Sequence, residues 1–213
     1  MKPWMRQLLA LFGAAAMIAG AAATPVLSLV PETDKVHPPE NLYVDIVLSG
    51  LAHTDASSLL GAFDLTIHYS SASMIFQPIG SSLGSGLGDP TDPAQTLIGS
   101  NNDVPGVFRF FEVSLLEATS SGCQFCSGPY LEDLQNTDSL VLARLLFYSP
   151  GKVGDFATFI APRDEVVLSD ANGVQITDFD IVNGMVRMPE PAGLMLVATA
   201  LLAAAALRRR PLR

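Results

Sequence analysis

Cys123 and Cys126, in the sequence Cys-Gln-Phe-Cys, are the only thiols in the chain. Their spacing suits a local disulfide, a redox couple or half of a soft-metal site. Redox catalysis wants the first cysteine at a helix N-terminus, where its pKa falls. Cys123 instead follows Ser120-Ser121-Gly122, a loop sequence. A thiolate zinc site wants two further soft ligands, and no other cysteine exists. A disulfide pinning a loop is the favoured reading in an oxidising compartment, with free thiols or crosslinks as the alternatives.

Hydrolysis by a nucleophile needs Ser or Cys within reach of a base, usually His. The three histidines are badly placed for that. His37 adjoins Pro38-Pro39, His53 follows a strand-like run, and His68 falls on the polar side of another. No Gly-x-Ser-x-Gly elbow is present, and no two histidines share a metal-ligand spacing. Carboxylates are abundant enough to make a glycosidase pair conceivable, but a solvated acidic surface explains their number as well. Calcium is the remaining site idea. Asp170, Asn172 and the carbonyl near Val174, or Asp89 and Asp92, supply oxygen ligands. Against it, the acidic residue that should close such a loop is missing, and Asn172-Gly173 between two apolar runs is a hairpin-turn signal. A turn is therefore preferred, and no cofactor is expected. Twelve basic against 21 acidic residues, a net charge of −9, exclude the usual nucleic-acid partner. At 49% hydrophobic, the chain is also too apolar for wholesale disorder.

The elements that would position these residues read as strands. Val44, Ile46 and Leu48 share one face of a short run. Phe63, Leu65, Ile67 and Tyr69 alternate with Asp64, Thr66 and His68, a period of two. Ala143, Leu145 and Phe147 alternate with Arg144, Leu146 and Tyr148. Shorter runs lie at 107–116, 156–160, 166–168, 174–179 and 185–188, separated by Gly, Pro, Asn and Asp clusters. Residues 80–103 and 117–138 break the rhythm and read as long inserted loops, which favour function over packing. Eight or nine short strands without intervening helices predict an all-β sandwich of the jelly-roll type.

Both ends differ from this middle. In residues 1–23, Lys2 and Arg6 precede the apolar run Leu8 to Ile18, and Ala21-Ala22-Ala23 offers a cleavage site; this is a secretory signal peptide. Its apolar core is shorter than the about 20 residues a spanning helix needs. An uncleaved N-terminal helix is the alternative. At the other end, Pro189-Glu190-Pro191 is followed by sixteen uncharged residues, 192–207, and then by Arg208, Arg209 and Arg210. Sixteen helical residues rise ~24 Å, near a membrane's apolar thickness, and terminal arginines belong on the cytoplasmic side. The 165 residues between, 24–188, hold twenty acidic and six basic side chains and form the exported domain.

Pro-Glu-Pro, an apolar helix and an arginine cluster in that order resemble the PEP-CTERM sorting signal. That resemblance implies a transpeptidase-like membrane enzyme, an exosortase, as partner, with cleavage near Pro189-Glu190-Pro191. It also implies a place at the cell surface or in a polysaccharide or biofilm matrix, membrane-anchored only before processing. Composition alone supports a plain anchor equally well. The middle of the chain resembles a second family. "NLYVDIVLSGL", "GAFDLTIHYSSASMIF", "LARLLFYSPGKVGDFATF" and "VVLSDANG" follow one another as in cohesin-type modules. That resemblance implies a nine-stranded sandwich, related in fold to carbohydrate-binding modules, that binds protein partners; the two long inserts depart from it. The chain thus reads as a non-catalytic surface module for a polysaccharide or matrix protein, with a secreted hydrolase using a carboxylate pair as the alternative.

In the exported protein, Cys123 and Cys126 should be oxidised to each other. Thiol labelling of undenatured material should detect neither; two reactive thiols would exclude the disulfide. Because the loop closed is so short, reduction should lower stability by about 2 kcal/mol or less.

Overall fold

A computed structural model describes residues 24–84, 86–122, 128–150 and 156–188. The leader at 1–23, the Pro-Glu-Pro motif with helix 192–207 and Arg208 to Arg210, and both cysteines lie outside the described residues. Among those described, no helix is long and apolar enough to cross a membrane.

The alternation of apolar and polar residues folds as two packed sheets. The first has five strands, in the order β10 (Asp180–Val182), β1 (Val26–Pro31), β2 (Glu40–Ser49), β7 (Ser139–Ser149) and β4 (Ile75–Leu83). The second has β11 (Gly184–Arg187), β8 (Phe156–Ile160), β3 (Leu60–Tyr69), β6 (Val107–Ser114) and β5 (Thr96–Asn101), with β9 (Val166–Asp170) also paired to β3. All pairings within strands are antiparallel except β1 with β10.

Strand β3 organises the second sheet. One edge pairs with β6 along most of its length, and the other is shared by β9 and, at His68 and Tyr69, by β8. Phe63, Leu65 and Ile67 are 3% exposed or less, while Asp64, Thr66 and His68 lie on the outer, partly exposed side. This matches the predicted alternation. Aromatic rings carry the contact across the sandwich: Phe76 meets Phe108 at 4.4 Å between centroids, and Phe147 meets Phe159 at 4.9 Å. Phe63, Phe108 and Phe110 extend the cluster along the second sheet. Burial of such rings supplies both area and offset or edge contacts.

The long segment at 80–103 is not one loop: it contains the end of β4 and the whole of β5. β5 is an edge strand held by backbone pairing to β6, with Gly99, Ser100 and Asn101 in its second half. Residues so poor in β-propensity leave little signal in sequence. Residues 174–179, read as a strand, make only an isolated bridge, Ser169 with Gln175. Arg163 explains why. Its guanidinium donates to the carbonyls of Thr177 and Phe179 and lies over the Phe179 ring at 4.4 Å, so those carbonyls are satisfied by a side chain and not by a ladder. Strand β1, with buried Leu27 and Leu29, was not anticipated. The described residues thus hold eleven strands, against eight or nine expected. The segment 117–138 is irregular as predicted in its described part. One helical turn, Leu131–Leu134, tucks it down, and the buried Gln135 side chain bonds both the amide and the carbonyl of Leu60.

The two faces of β3 make a direct test. Leu65→Ala should cost about 2–5 kcal/mol, through lost burial and the cavity left behind. Thr66→Ala, one residue on, should change stability by about 0.5 kcal/mol or less. Denaturant melts of both variants decide it, and equal losses would mean that β3 is buried on both sides.

Candidate functional site

Because cross-strand partners point to the same side, the ladder register fixes what the second sheet shows to solvent. β3 presents Asp64, Thr66 and His68, and β6 presents Arg109, Phe111 and Val113. β8 adds Phe156 and Ile160, β11 adds Met185, β9 adds Val167 opposite Asp64, and β5 adds Leu97 and Gly99. Leu97, Phe156, Ile160, Val167 and Met185 are each 40–57% exposed, high for large apolar side chains.

Charge occupies the middle of this face. Arg109 grips Asp64 with two parallel bonds, Nε to Oδ1 at 2.9 Å and Nη2 to Oδ2. Asp64 raises the Arg109 pKa further, chiefly through this hydrogen bonding, so the guanidinium stays charged. His68 Nε2 lies 2.9 Å from Glu165 Oε2. Around these pairs runs an open groove of about 350 Å³, lined by Asp64, Thr66, Arg109, Asp164, Glu165 and Val167. On the far side of β6, Phe111 lies against Gly99: a Cβ there would stand 2.5 Å from the ring. Glycine at this position leaves room for the ring against the edge strand. The face carries apolar side chains on the flanking strands and the Asp64–Arg109 pair between them.

The other sheet also exposes apolar side chains, Val30, Ile75, Ile79, Val141 and Val182, at 44–93%, but its central cation is differently engaged. Arg144 lies over the Tyr43 ring at 4.7 Å, bonds Glu32 at 2.8 Å and approaches Asp45 at 3.6 Å. One guanidinium thereby engages much of the polar surface of β2 and β7.

The residues singled out from sequence mostly hold turns. Asp170 Oδ1 accepts the amides of Asn172 and Val174, at 2.9 and 2.8 Å, and its own amide donates to the Val174 carbonyl. Asp89 accepts the amide and hydroxyl of Thr91, and Asp92 accepts the Ala94 amide and the Gln95 side chain. All three are side-chain-capped turns. No group of three or more His, Cys, Asp or Glu is placed to hold a metal among the described residues. Among them too, no serine hydroxyl bonds a histidine ring. Of the histidines, only His68 reaches the face; the backbone amide of His37 bonds Glu40, and His53 stands at φ 53° in a loop. The apolar margins were not anticipated. Their signal was present in the outward positions of β8 and β11, but only the register joins those strands to β3.

No protein-family model matches the chain, and no curated protein does. Solved structures do. The sixth cohesin of scaffoldin B from Acetivibrio cellulolyticus, solved in complex with a Cel5 dockerin, superposes with a TM-score of 0.53 at 18% identity, covering 76% of this chain and 99% of that one. The seventh ScaB type I cohesin from Pseudobacteroides cellulosolvens gives 0.54 at 13%, covering 79% and 94%. A type II cohesin domain from the Acetivibrio cellulolyticus cellulosome gives 0.53 at 14%, covering 76% and 95%. At these identities the likeness establishes the fold: the described domain is an all-β sandwich of the cohesin type.

Proposed function

We propose that this chain is an exported, non-catalytic docking module that binds a protein partner on the outer face of its six-stranded sheet, at the cell surface or in the extracellular matrix. The observation that carries this reading is the face itself. Five large apolar side chains, each about half exposed, lie around the Asp64–Arg109 ion pair and the His68–Glu165 contact. Exposed large apolar side chains gathered on one face supply anchors for a partner, and the charges between them set register and orientation. The fold supports the reading, since a cohesin of the same fold is solved with a dockerin bound. A hydrolase would need a proton donor and a second carboxylate facing a sugar. Here the Asp64 and Glu165 carboxylates are instead engaged by Arg109 and His68.

Delivery rests on the two ends. A signal peptide at 1–23 sends the domain out. Pro189-Glu190-Pro191, the apolar segment and Arg208 to Arg210 make a sorting tail read by an exosortase-type enzyme, which leaves the domain in or near exopolysaccharide.

Arg109→Glu and Met185→Glu test the face without disturbing the core. Arg109 forms an exposed pair, so its loss should cost about 1 kcal/mol or less in stability. Each substitution should weaken binding of matrix protein to the purified protein at least tenfold, since anchor residues dominate interfaces. Val30→Glu, on the other sheet, should not. Equal loss with Val30→Glu, or release of reducing sugar from the cell's own exopolysaccharide, would overturn the proposal. For the tail, Glu190→Ala should hold the protein in the inner membrane; unchanged release would favour a plain anchor.

A further inference from the structure

Among the described residues, Glu112 is the one fully buried carboxylate, and the proposed docking face does not use it. Phe108, Phe110 and Glu112 alternate along β6, so the register aims Glu112 inward, and it is 0% exposed. Its Oε1 lies 3.2 Å from the Thr96 hydroxyl, which is also 3.1 Å from the Val113 carbonyl. Its Oε2 is buried with no hydrogen-bond partner. Gly84 packs against the group so closely that a Cβ there would stand 3.0 Å from the carboxyl carbon.

What covers Glu112 is one edge of the sandwich and the segment that leads into it. β5 is an edge strand that pairs only with β6. Residues 86–95 lead into it, with Leu87 fully buried as their plug. Asp92 and Gln95 carbonyls receive the amides of Thr96 and Leu115. The groups facing the carboxyl are the Thr96 hydroxyl, the Leu87 amide, the Ile98 side chain and Gly84. None is charged. The charged residues of the covering segment, exposed Asp89 and half-buried Asp92, are occupied in their own turns. An ionised Glu112 therefore has no counter-ion, and its bare oxygen can reach water only if the cover moves. β3, paired on both edges, cannot yield; β5 and residues 86–95 can.

We propose that Glu112 is a pH-operated latch: residues 86–95 and strand β5 close over its uncharged carboxyl, and its ionisation loosens them. Burial is the main cause of a pKa pushed up from 4.5 to about 7, with Thr96 and Leu87 opposing it. The sign follows from the raised value. The latch's stabilisation is fully present below pH 4.5, declines as the pH rises, and is lost once the pH passes about 7. That interval corresponds to at most about 300-fold in the closing equilibrium. β5 carries Leu97 and Gly99 of the proposed docking face, so the latch would also soften one margin of that face at alkaline pH. This last consequence rests on the docking reading, whereas the latch does not.

Hydrogen exchange on the purified protein without any partner tests it, with rates corrected for the intrinsic effect of pH. Between pH 5.5 and 8.5, protection of the Thr96 and Leu115 amides should fall at least tenfold relative to amides of the β2–β7 ladder. Glu112→Gln should abolish the fall. Unchanged protection in the parent protein, or the same fall in Glu112→Gln, would overturn the latch. Should that variant not fold, the ¹³C shift of the Glu112 carboxyl in the parent protein decides. A midpoint near 7 that coincides with the loss of protection supports the latch; a midpoint near 4.5 overturns it. Since no partner is present, failure here leaves the docking reading standing.

Discussion

The structure depends on β3 being paired along both edges while one of its sides is buried. A strand in that position cannot shift register by one residue without sending Phe63, Leu65 and Ile67 to solvent and Asp64, Thr66 and His68 into the core. That penalty fixes β6 against one edge and β9 and β8 against the other. The same constraint sets Phe108 and Phe110 inward and Arg109 and Phe111 outward. Core and face are two consequences of a single register.

The face inherits its character from that arrangement. β3 and β6, at the centre, place Asp64 beside Arg109; the flanking strands, being shorter, bring single apolar residues such as Ile160, Val167 and Leu97 to the margins. Ion pairing at the centre keeps Arg109 oriented in a domain with few basic residues. The six in 24–188 are Lys35, Arg109, Arg144, Lys152, Arg163 and Arg187. Arg144 serves the opposite sheet and Arg163 ties down the stretch before β10. An acidic domain with Arg109 held by Asp64 at the centre of one face has a defined electrostatic pattern for a partner to match.

Much of this was legible in the residues. Alternation over 63–69 and 143–148 placed strands and their buried sides correctly, because a half-buried strand must alternate. The order of segments also carried the resemblance to cohesins. What stayed hidden had physical causes. β5 is held by backbone bonds, which Gly99, Ser100 and Asn101 do not advertise. The apparent strand at 174–179 lost its ladder to Arg163, a contact across the fold that no local pattern contains. The proposed docking face gathers outward residues from six strands, so it exists only once the register is known. Glu112 is the opposite case: its parity with Phe108 and Phe110 in the sequence already pointed it inward.

The central claim is that one sheet face, and not the other, meets the partner. Hydroxyl-radical footprinting of the protein in its native matrix, compared with the purified protein, reads this from side chains of high reactivity. Met185, Phe156 and Phe111 mark the proposed face, and Tyr43 and Tyr148 mark the other sheet. Protection of the first three with unchanged oxidation of the two tyrosines is the predicted result. Protection confined to the tyrosines would contradict it.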